Sequence, residues 1–218
     1  PDDKPELKDA FKDQYNAEKY LFTCYRFLPT FVDPLNTLGL TGGGDILYSD
    51  MDRVSPLKSG LPAPMVSFLE GNKVADPYMN FWDGKNGANR NIWQGIRHCN
   101  VFLENIQIEN GGPRDVPEEL RAQWIAEVKV IKAYMHFYLF QLYGPIPIVD
   151  KALPISAKGD EANVYREPVD KVVDYIVNTL DDAMEDLPFL NNLDAVSEYG
   201  RMTKTIASKL FRKGRSSI

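Results

Sequence analysis

The stretch 78–91 contains the residue types best suited to binding a ligand. It reads Tyr-Met-Asn-Phe-Trp-Asp-Gly-Lys-Asn-Gly-Ala-Asn-Arg-Asn, so aromatic rings stand beside amide, carboxyl and guanidinium groups. Sugar recognition uses this mixture, because a ring stacks on a sugar face while the polar groups hydrogen-bond to hydroxyls. The alternative interpretation is structural: Phe81 and Trp82 fold back over the helix that follows, and Asn89 or Asn91 caps that helix. Trp93, inside the same helix, is predicted to belong to the core.

Other kinds of chemistry have weaker support in the sequence. His98 and His136 each lie within a predicted helix and are interpreted as structural. Because Cys99 follows His98 directly, the two side chains point about 100° apart on a helix and do not form a catalytic thiolate pair. The glycines at 42–44 lack a phosphate-binding context and are interpreted as a flexible turn, and the acids at 50–52 as a solvated loop. We predict no metal and no cofactor.

The charge balance excludes one class of partner and leaves one class of enzyme open. The net charge is −6, which argues against nucleic acid, since phosphate binding requires a basic surface. Acidic residues are abundant, so a carboxylate pair for glycoside hydrolysis remains an alternative. Most of these acids lie on solvated helix faces, which makes the hydrolase the weaker hypothesis.

The sequence contains two cysteines, Cys24 and Cys99, both at apolar positions of predicted helices. Two buried free thiols are the expected state, and a disulfide stays open if the chain is exported. Neither a signal peptide nor an apolar run of membrane-spanning length is visible. The sequence opens at Pro1 without methionine, so we expect a trimmed start.

Helical periodicity is the main structural signal and predicts five helices. One long irregular excursion of the chain lies between the first helix and the second. The stretch 29–91 is rich in proline and glycine and is predicted to be irregular, as functional loops of this length often are. The helices are predicted at Pro5–Phe27, Asn89–Ile106, Pro117–Tyr143, Pro168–Leu187 and from about Thr203.

The segment Glu127–Asp150 is apolar on nearly every face, which is typical of a helix buried inside a larger assembly. It is predicted to end at Gly144-Pro145 and to continue as an extended segment. Five aromatic residues in it are predicted to be core: Tyr134, Phe137, Tyr138, Phe140 and Tyr143. The fold class is therefore mainly α, and the helix lengths and spacings suggest stacked antiparallel pairs of the tetratricopeptide type.

Four stretches in this order and spacing resemble the N-terminal part of the SusD/RagB family of surface lipoproteins. They are the opening helix at 10–25, the WQGIRHCNVFLENI helix at 93–106, the EVKVIKAYMHFYLFQLYGPIPIV segment at 127–149, and 165–188 followed by GRMTK at 200–204. Together they cover nearly the whole chain. The resemblance implies that residues 1–218 form the N-terminal helical part of such a protein, with 29–91 as an irregular loop excursion.

The resemblance also implies a function. A SusD-like protein binds a glycan or another polymeric nutrient without catalysis and delivers it to a SusC-like TonB-dependent transporter. It lies at the surface of the outer membrane, anchored by an N-terminal lipid. The aromatic, asparagine-rich loop before the second helix is the matching part of the binding site. The candidate ligand-binding residues are Trp82, Asn86, Arg90, Tyr78 and Phe81.

The sequence departs from the family pattern in three ways. Family members are commonly more than twice this length, so the C-terminal part is expected to be missing and the binding site incomplete. The end, at 209–218, turns basic where the family continues an apolar helix. The lipidated cysteine is also absent. A helical-repeat interaction module without a small ligand is the alternative function.

Overall fold

The computed structural model describes residues 7–29, 80–82, 91–154, 156–157, 159, 164–190 and 200–215. Over these residues the fold is mainly α-helical, which confirms the predicted fold class. The α-helices are α1 (Gln14–Arg26), α2 (Ile92–Asn105), α3 (Glu118–Tyr143), α4 (Val169–Met184) and α5 (Lys204–Arg215), with 3-10 turns at Leu7–Phe11 and Ile108–Asn110. Each of these helices is too short or too polar to cross a lipid bilayer.

The chain divides into two compact units. One contains 1–26 together with 94–218, and the other contains 27–93. The second unit nearly coincides with the predicted excursion at 29–91. Most of that stretch lies outside the described residues, so its irregular structure stays a prediction.

Helix α3 is the central helix of the first unit. It buries residues on several faces, including Trp124, Val128, Ile131 and Met135. This agrees with the all-round apolar pattern, since a helix with neighbours on every side has no solvent-facing stripe. The predicted core aromatics are only partly confirmed. Phe137 is buried, whereas the tyrosines at 134, 138 and 143 and the phenylalanine at 140 are half-buried.

Consecutive helices in the first unit form antiparallel pairs. Lys129 near the middle of α3 pairs with Asp182 at the end of α4, while His136, further along α3, contacts Tyr175 earlier in α4. The α4–α5 pair runs the same way, since the Lys204 N–H donates to the Pro188 carbonyl while Ser208, further along α5, donates to the Met184 sulfur earlier in the chain. Stacked helix hairpins of this kind match the predicted tetratricopeptide-like arrangement.

The predicted first helix, Pro5–Phe27, is wrong at its start. The described chain instead makes a 3-10 turn and then begins α1 at Gln14. The break occurs because the Asp13 carboxylate accepts the Asn16 N–H at 2.8 Å and caps the helix. This hydrogen bond holds the pKa of Asp13 below its usual value of 3.8. Leu7, in the 3-10 turn, is 48% exposed.

Helix α3 ends where the sequence predicts, at Gly144. The Gly144 N–H donates to the Phe140 carbonyl, and the backbone has φ 69° and ψ −123°. Few L-residues adopt this combination, so glycine is required for the chain to leave the helix in this direction.

We expect Gly144→Ala to lower the free energy of unfolding by about 1–3 kcal/mol through backbone strain. A Cβ at this position meets nothing within 4 Å, so no steric clash contributes. Gly111, with φ 86° and ψ 17°, is the matched control, because the left-handed helical region costs alanine only about 1 kcal/mol. Urea denaturation of both variants measures the difference, and equal losses would contradict the assignment of strain to Gly144.

An extended segment follows α3, from Pro145 to Leu153, without forming a described strand. Side chains of the helices satisfy its backbone. The Asn100 amide donates to the Val149 carbonyl at 3.0 Å, and the Arg97 guanidinium donates to the Leu153 carbonyl. The stretch before α4 also contributes, because the Glu167 N–H donates to the Ile146 carbonyl at 2.9 Å.

Candidate functional site

The aromatic loop before α2 is described over Asn80, Phe81 and Trp82. The Ile92 N–H, at the start of α2, donates to the Phe81 carbonyl at 3.5 Å, which ties the loop to the helix start. Trp82 meets Trp93 in the first turn of α2, with ring centroids 5.1 Å apart and an interplanar angle of 76°. The second unit thus contains an edge-to-face tryptophan pair at the place where the sequence predicts a ligand site.

This tryptophan pair is a candidate stacking surface. In an edge-to-face arrangement, the ring that contributes its edge keeps both of its faces uncovered by its partner. Both Trp82 and Trp93 are half-buried, so part of each side chain remains accessible. The contact also fixes the ring orientations, which lowers the entropy cost of binding a flat ligand.

The five predicted ligand-binding residues fall into three groups. Trp82 is half-buried and paired with Trp93, as described above. Phe81 is only 8% exposed, so it lies under the surface, and its contact with a ligand stays a prediction. Tyr78, Asn86 and Arg90 lie outside the described residues, and their role stays a prediction.

Trp93 was predicted to be core, whereas the structure places it half-buried beside Trp82. The sequence does contain a signal for its partial exposure. The buried stripe of α2 consists of Ile92, Ile96 and Cys99. Trp93 lies 100° from Ile92 around the helix, so a ring at this position points to the edge of the stripe.

A second group of polar residues surrounds His136, which is fully buried in α3. Its Nδ1 lies 2.8 Å from the Lys132 carbonyl, and its Nε2 accepts the Val149 N–H at 3.4 Å. These partners require a neutral imidazole with the proton on Nδ1. The ring also contacts Tyr175 edge-on, with centroids 5.0 Å apart. Burial lowers the pKa of His136 to about 4.

Lys132 and Asp150, next to His136, form an ion pair between a buried and an exposed side chain. The Lys132 ammonium lies 2.8 Å from Asp150 Oδ1, and the Tyr175 hydroxyl donates to the same oxygen at 2.9 Å. Although partial burial by itself would raise it, the pKa of Asp150 is held below its ordinary value by the Lys132 ammonium. All of these groups are engaged with one another, so they fix the extended segment against α3 and α4.

A third polar cluster is centred on Glu127, whose side chain is fully buried in α3. Its carboxylate accepts the Tyr25 hydroxyl at 2.6 Å and the Arg201 Nε–H at 3.1 Å. Arg201 also pairs with Glu18, and the Tyr25 oxygen accepts the Met202 N–H at 2.8 Å. Burial and the adjacent carboxylate raise the pKa of Tyr25, so its hydroxyl keeps the proton that it donates. The cluster joins α1, α3 and the segment before α5.

His98, the other histidine, belongs to α2 and contacts α1. Its Nδ1 is 2.9 Å from the Tyr20 hydroxyl, and partial burial lowers its pKa. Within the ranges that the structure describes, no three histidine, cysteine or acidic side chains lie close enough to hold a metal ion. The titratable groups discussed above thus serve packing and ion pairing, and the tryptophan pair is the best candidate binding surface.

A family model matches residues 64–207 of the chain. The family is SusD-like and is described as starch-binding and associating with the outer membrane. The match includes the loop with Trp82 and helices α2 to α4. A comparison with curated protein sequences found no match.

Solved structures of SusD-like proteins have the same fold. A SusD-like protein from Bacteroides fragilis is 20% identical over 95% of this chain and 35% of its own, with a TM-score of 0.65. The protein BT4246 is 28% identical over 94% of this chain and 31% of its own, with a TM-score of 0.66. A laminarin-binding SusD-like protein is 20% identical over 94% of this chain and 40% of its own, with a TM-score of 0.64. The chain thus spans between 31% and 40% of the length of these proteins.

Proposed function

This chain belongs to the SusD-like family, and we propose that it binds a glycan at the cell surface without altering it chemically. The observation that carries this proposal is the tryptophan pair, Trp82 with Trp93, in the loop that precedes α2. The family description as starch-binding and the laminarin-binding relative both support a polysaccharide ligand.

The proposed site uses the chemistry expected of sugar binding. Trp82 stacks on the apolar face of a sugar ring, with Trp93 fixing its orientation. Asn86 and Arg90, and the Tyr78 hydroxyl, supply hydrogen bonds to hydroxyl groups. Phe81 supports the loop from below, consistent with its small exposure.

A binding role without catalysis agrees with the contacts of two acidic residues, Glu127 and Asp150. Glycoside hydrolysis requires two carboxyl groups about 5–10 Å apart on either side of the scissile bond. Glu127 is fully buried and paired with Arg201, and Asp150 is paired with Lys132. Both carboxylates therefore serve the scaffold, which favours binding over hydrolysis.

We further propose that the helical scaffold docks on a SusC-like TonB-dependent transporter and delivers the glycan to it. The description of the family as associating with the outer membrane supports this location. In this proposal, residues 1–218 form the N-terminal helical part of the binding protein, with the stretch 29–91 carrying the ligand loop and an N-terminal lipid providing the anchor. Co-purification with a transporter from outer membranes tests the partnership.

We expect Trp82→Ala to weaken glycan binding by about tenfold, because the sugar loses its stacking surface. Affinity electrophoresis in gels containing starch or laminarin, followed by calorimetry with the better ligand, measures the change. Tyr165→Ala is the matched control, since Tyr165 is an aromatic residue with 77% exposure outside the proposed site. Its binding should equal that of the unchanged protein.

The helical circular dichroism of both variants should be unchanged, which separates lost binding from lost folding. Equal affinities for Trp82→Ala and the unchanged chain would overturn the site assignment. If the unchanged protein binds no polysaccharide on a glycan array, the alternative of an interaction module without a small ligand gains support. Release of shorter sugars during incubation would instead support the hydrolase.

A further inference from the structure

The outer face of α1 carries two exposed aromatic side chains. Tyr15 and Phe22 are 65% and 45% exposed, and they stand two helical turns apart on the same face. The opposite face of the helix buries Ala17, Leu21 and Cys24. The two rings are thus separated by about 10 Å along a stripe that faces solvent. Large apolar groups collected on an exposed face point to a binding surface.

Each of these rings has a cation beside it. The Lys19 ammonium lies over the Tyr15 ring, 4.0 Å from its centroid, and the Arg201 guanidinium lies over the Phe22 ring at 5.7 Å. Cation–π attraction of this kind holds an exposed ring in one orientation. Arg201 is only 7% exposed, so the face of Phe22 that it covers is turned inward and the other face is turned to solvent.

A third pair of a ring and a cation lies at the start of α5. The Lys204 ammonium is 5.0 Å from the centroid of the Phe189 ring, which is 56% exposed. Lys204 follows Arg201 by three residues, so the Cα atoms of these two residues are at most about 11 Å apart. This pair therefore lies close to Phe22. We call five residues together the aromatic–basic surface: Tyr15, Lys19, Phe22, Lys204 and Phe189.

The positive charge of this surface is available to a ligand. Within the part of the chain that the structure describes, neither Lys19 nor Lys204 forms an ion pair. Glu18 lies on the same side of α1, but its carboxylate is paired with Arg201 at 3.2 Å. The carboxylate of Asp13 caps the start of α1. Both nearby acids are thus engaged within the protein.

We propose that the aromatic–basic surface is a second polysaccharide-binding surface, whose ligand is an acidic glycan built from uronic acids. A uronic acid unit presents an apolar C–H face and a carboxylate. One aromatic ring with one ammonium group beside it complements both features. The inference rests on the proposed function in taking a polysaccharide as the ligand, but it concerns other residues, in the first unit.

The arrangement favours this ligand over other anionic partners. A lipid surface binds helices through a wide apolar face, whereas α1 interleaves its two exposed rings with Glu18 and Lys19. Nucleic acid favours a basic domain, and this chain has a net charge of −6. A ring with a cation recurs along the surface, as a carboxylate recurs along an acidic polysaccharide.

Affinity electrophoresis of the full chain tests the proposal. The gels contain polygalacturonate, or fully methyl-esterified polygalacturonate as the matched polymer without charge. We expect binding to the acidic polymer to be about fivefold tighter, because the ester offers no carboxylate to the ammonium groups. Lys19→Gln/Lys204→Gln should remove this difference. Absence of binding to polygalacturonate, or equal binding to the two polymers, would overturn the proposal.

Removal of the rings gives a second readout. Tyr15→Ser/Phe22→Ser should weaken binding to polygalacturonate by about tenfold, because two stacking contacts are lost. Tyr15→Ser alone should cost about threefold, and it changes only the more exposed of the two rings. Tyr165→Ala is the control, since Tyr165 lies near the C-terminal end of α3 and Tyr15 near its N-terminal end. If the serine variants keep their helical circular dichroism and bind like the control, the proposal is wrong.

A further comparison separates this surface from the tryptophan pair. Trp82→Ala should leave binding to polygalacturonate unchanged, and Tyr15→Ser should leave binding to starch or laminarin unchanged. If Trp82→Ala weakens binding to polygalacturonate as much as to the neutral glycan, one site binds both polymers and the second surface is refuted. Failure with polygalacturonate alone leaves the proposed function intact. Binding of anionic phospholipid vesicles through Tyr15, without binding of polygalacturonate, would assign the surface to a membrane and overturn the proposal.

Discussion

We expect Glu127→Leu to lower the free energy of unfolding by about 3–5 kcal/mol. The Glu127 side chain is fully buried, and its partner Arg201 is 7% exposed, so removing the carboxylate leaves a buried guanidinium without its main counter-charge. The Tyr25 hydroxyl also loses its acceptor. Chemical denaturation monitored by circular dichroism measures the loss.

An exposed ion pair in α4 and the segment before it provides the matched control. Glu167 and Lys171 lie 3.3 Å apart, with side chains 38% and 65% exposed. Solvent screens this pair, so Glu167→Leu should change the free energy of unfolding by less than about 1 kcal/mol. Losses of similar size in the two variants would contradict a special role for the buried cluster.

A double variant separates pairing from burial. Because Arg201→Met removes the charge that Glu127→Leu leaves unpaired, the double variant should lose less stability than the two single variants added together. Additive losses would mean that Glu127 and Arg201 act independently. The expected coupling distinguishes an ion pair from two residues that merely fill space.

The second large effect is acid sensitivity caused by His136. Its pKa is about 4 in the folded protein and about 6.5 in the unfolded chain, so the unfolded chain binds the proton more tightly. The contribution of His136 to the free energy of unfolding is therefore fully present above pH 6.5. It falls as the pH drops and is lost below pH 4. The full loss is about 3 kcal/mol, of which about 2 kcal/mol has occurred by pH 5.

The geometry explains why the charged form is disfavoured. A proton on Nε2 would point at the Val149 N–H, which now donates to that nitrogen. The Lys132 ammonium lowers the pKa further, whereas its carbonyl and the Asp150 carboxylate oppose this shift without reversing it. The uncharged Tyr175 ring also lies against the imidazole.

Urea denaturation at pH 7.5 and pH 5 measures this dependence. His136→Gln should flatten it, because glutamine does not titrate in this range. His98→Gln is the control, since His98 is only partly buried and should account for a smaller share of the slope. If the unchanged chain and His136→Gln lose the same stability over this interval, His136 is not the titrating group.

Local signals in the sequence were sufficient to predict the helices. The apolar periodicity of α4 and the Gly144-Pro145 break after α3 depend on neighbouring residues, and both predictions are confirmed. The start of α1 was mispredicted because Pro5 also suits a first helical turn, whereas the chain uses Asp13 as its cap. Pro5 and Asp13 are competing signals for the start of one helix, and they cannot be ranked without the tertiary contacts.

Long-range polar contacts are beyond what periodicity can predict. Glu127 and Arg201 are 74 residues apart, and nothing in the local pattern of either residue points to the other. The same holds for His136, whose acceptor role depends on Val149 in the segment after the helix. The sequence could place these residues on helices but could not pair them.

The candidate site was predicted from residue types, and the structure adds one geometric fact to that prediction. Trp82 was assigned from its loop, and its contact with Trp93 supplies the orientation that the sequence lacked. Phe81 was grouped with the ligand-binding residues because aromatic type does not reveal depth below the surface. Its 8% exposure shows that neighbouring aromatics in one loop can differ in burial.

The contacts of Arg201 and Met202 with α1 have a consequence for the order of folding. Glu18 meets Arg201 across 183 residues of chain, and Tyr25 meets Met202 across 177. Contacts between such distant residues form late, because the chain must first close a very long loop. Helix α1 is synthesised before the other described helices, so Glu18 and Tyr25 wait for these partners until the residues before α5 have followed.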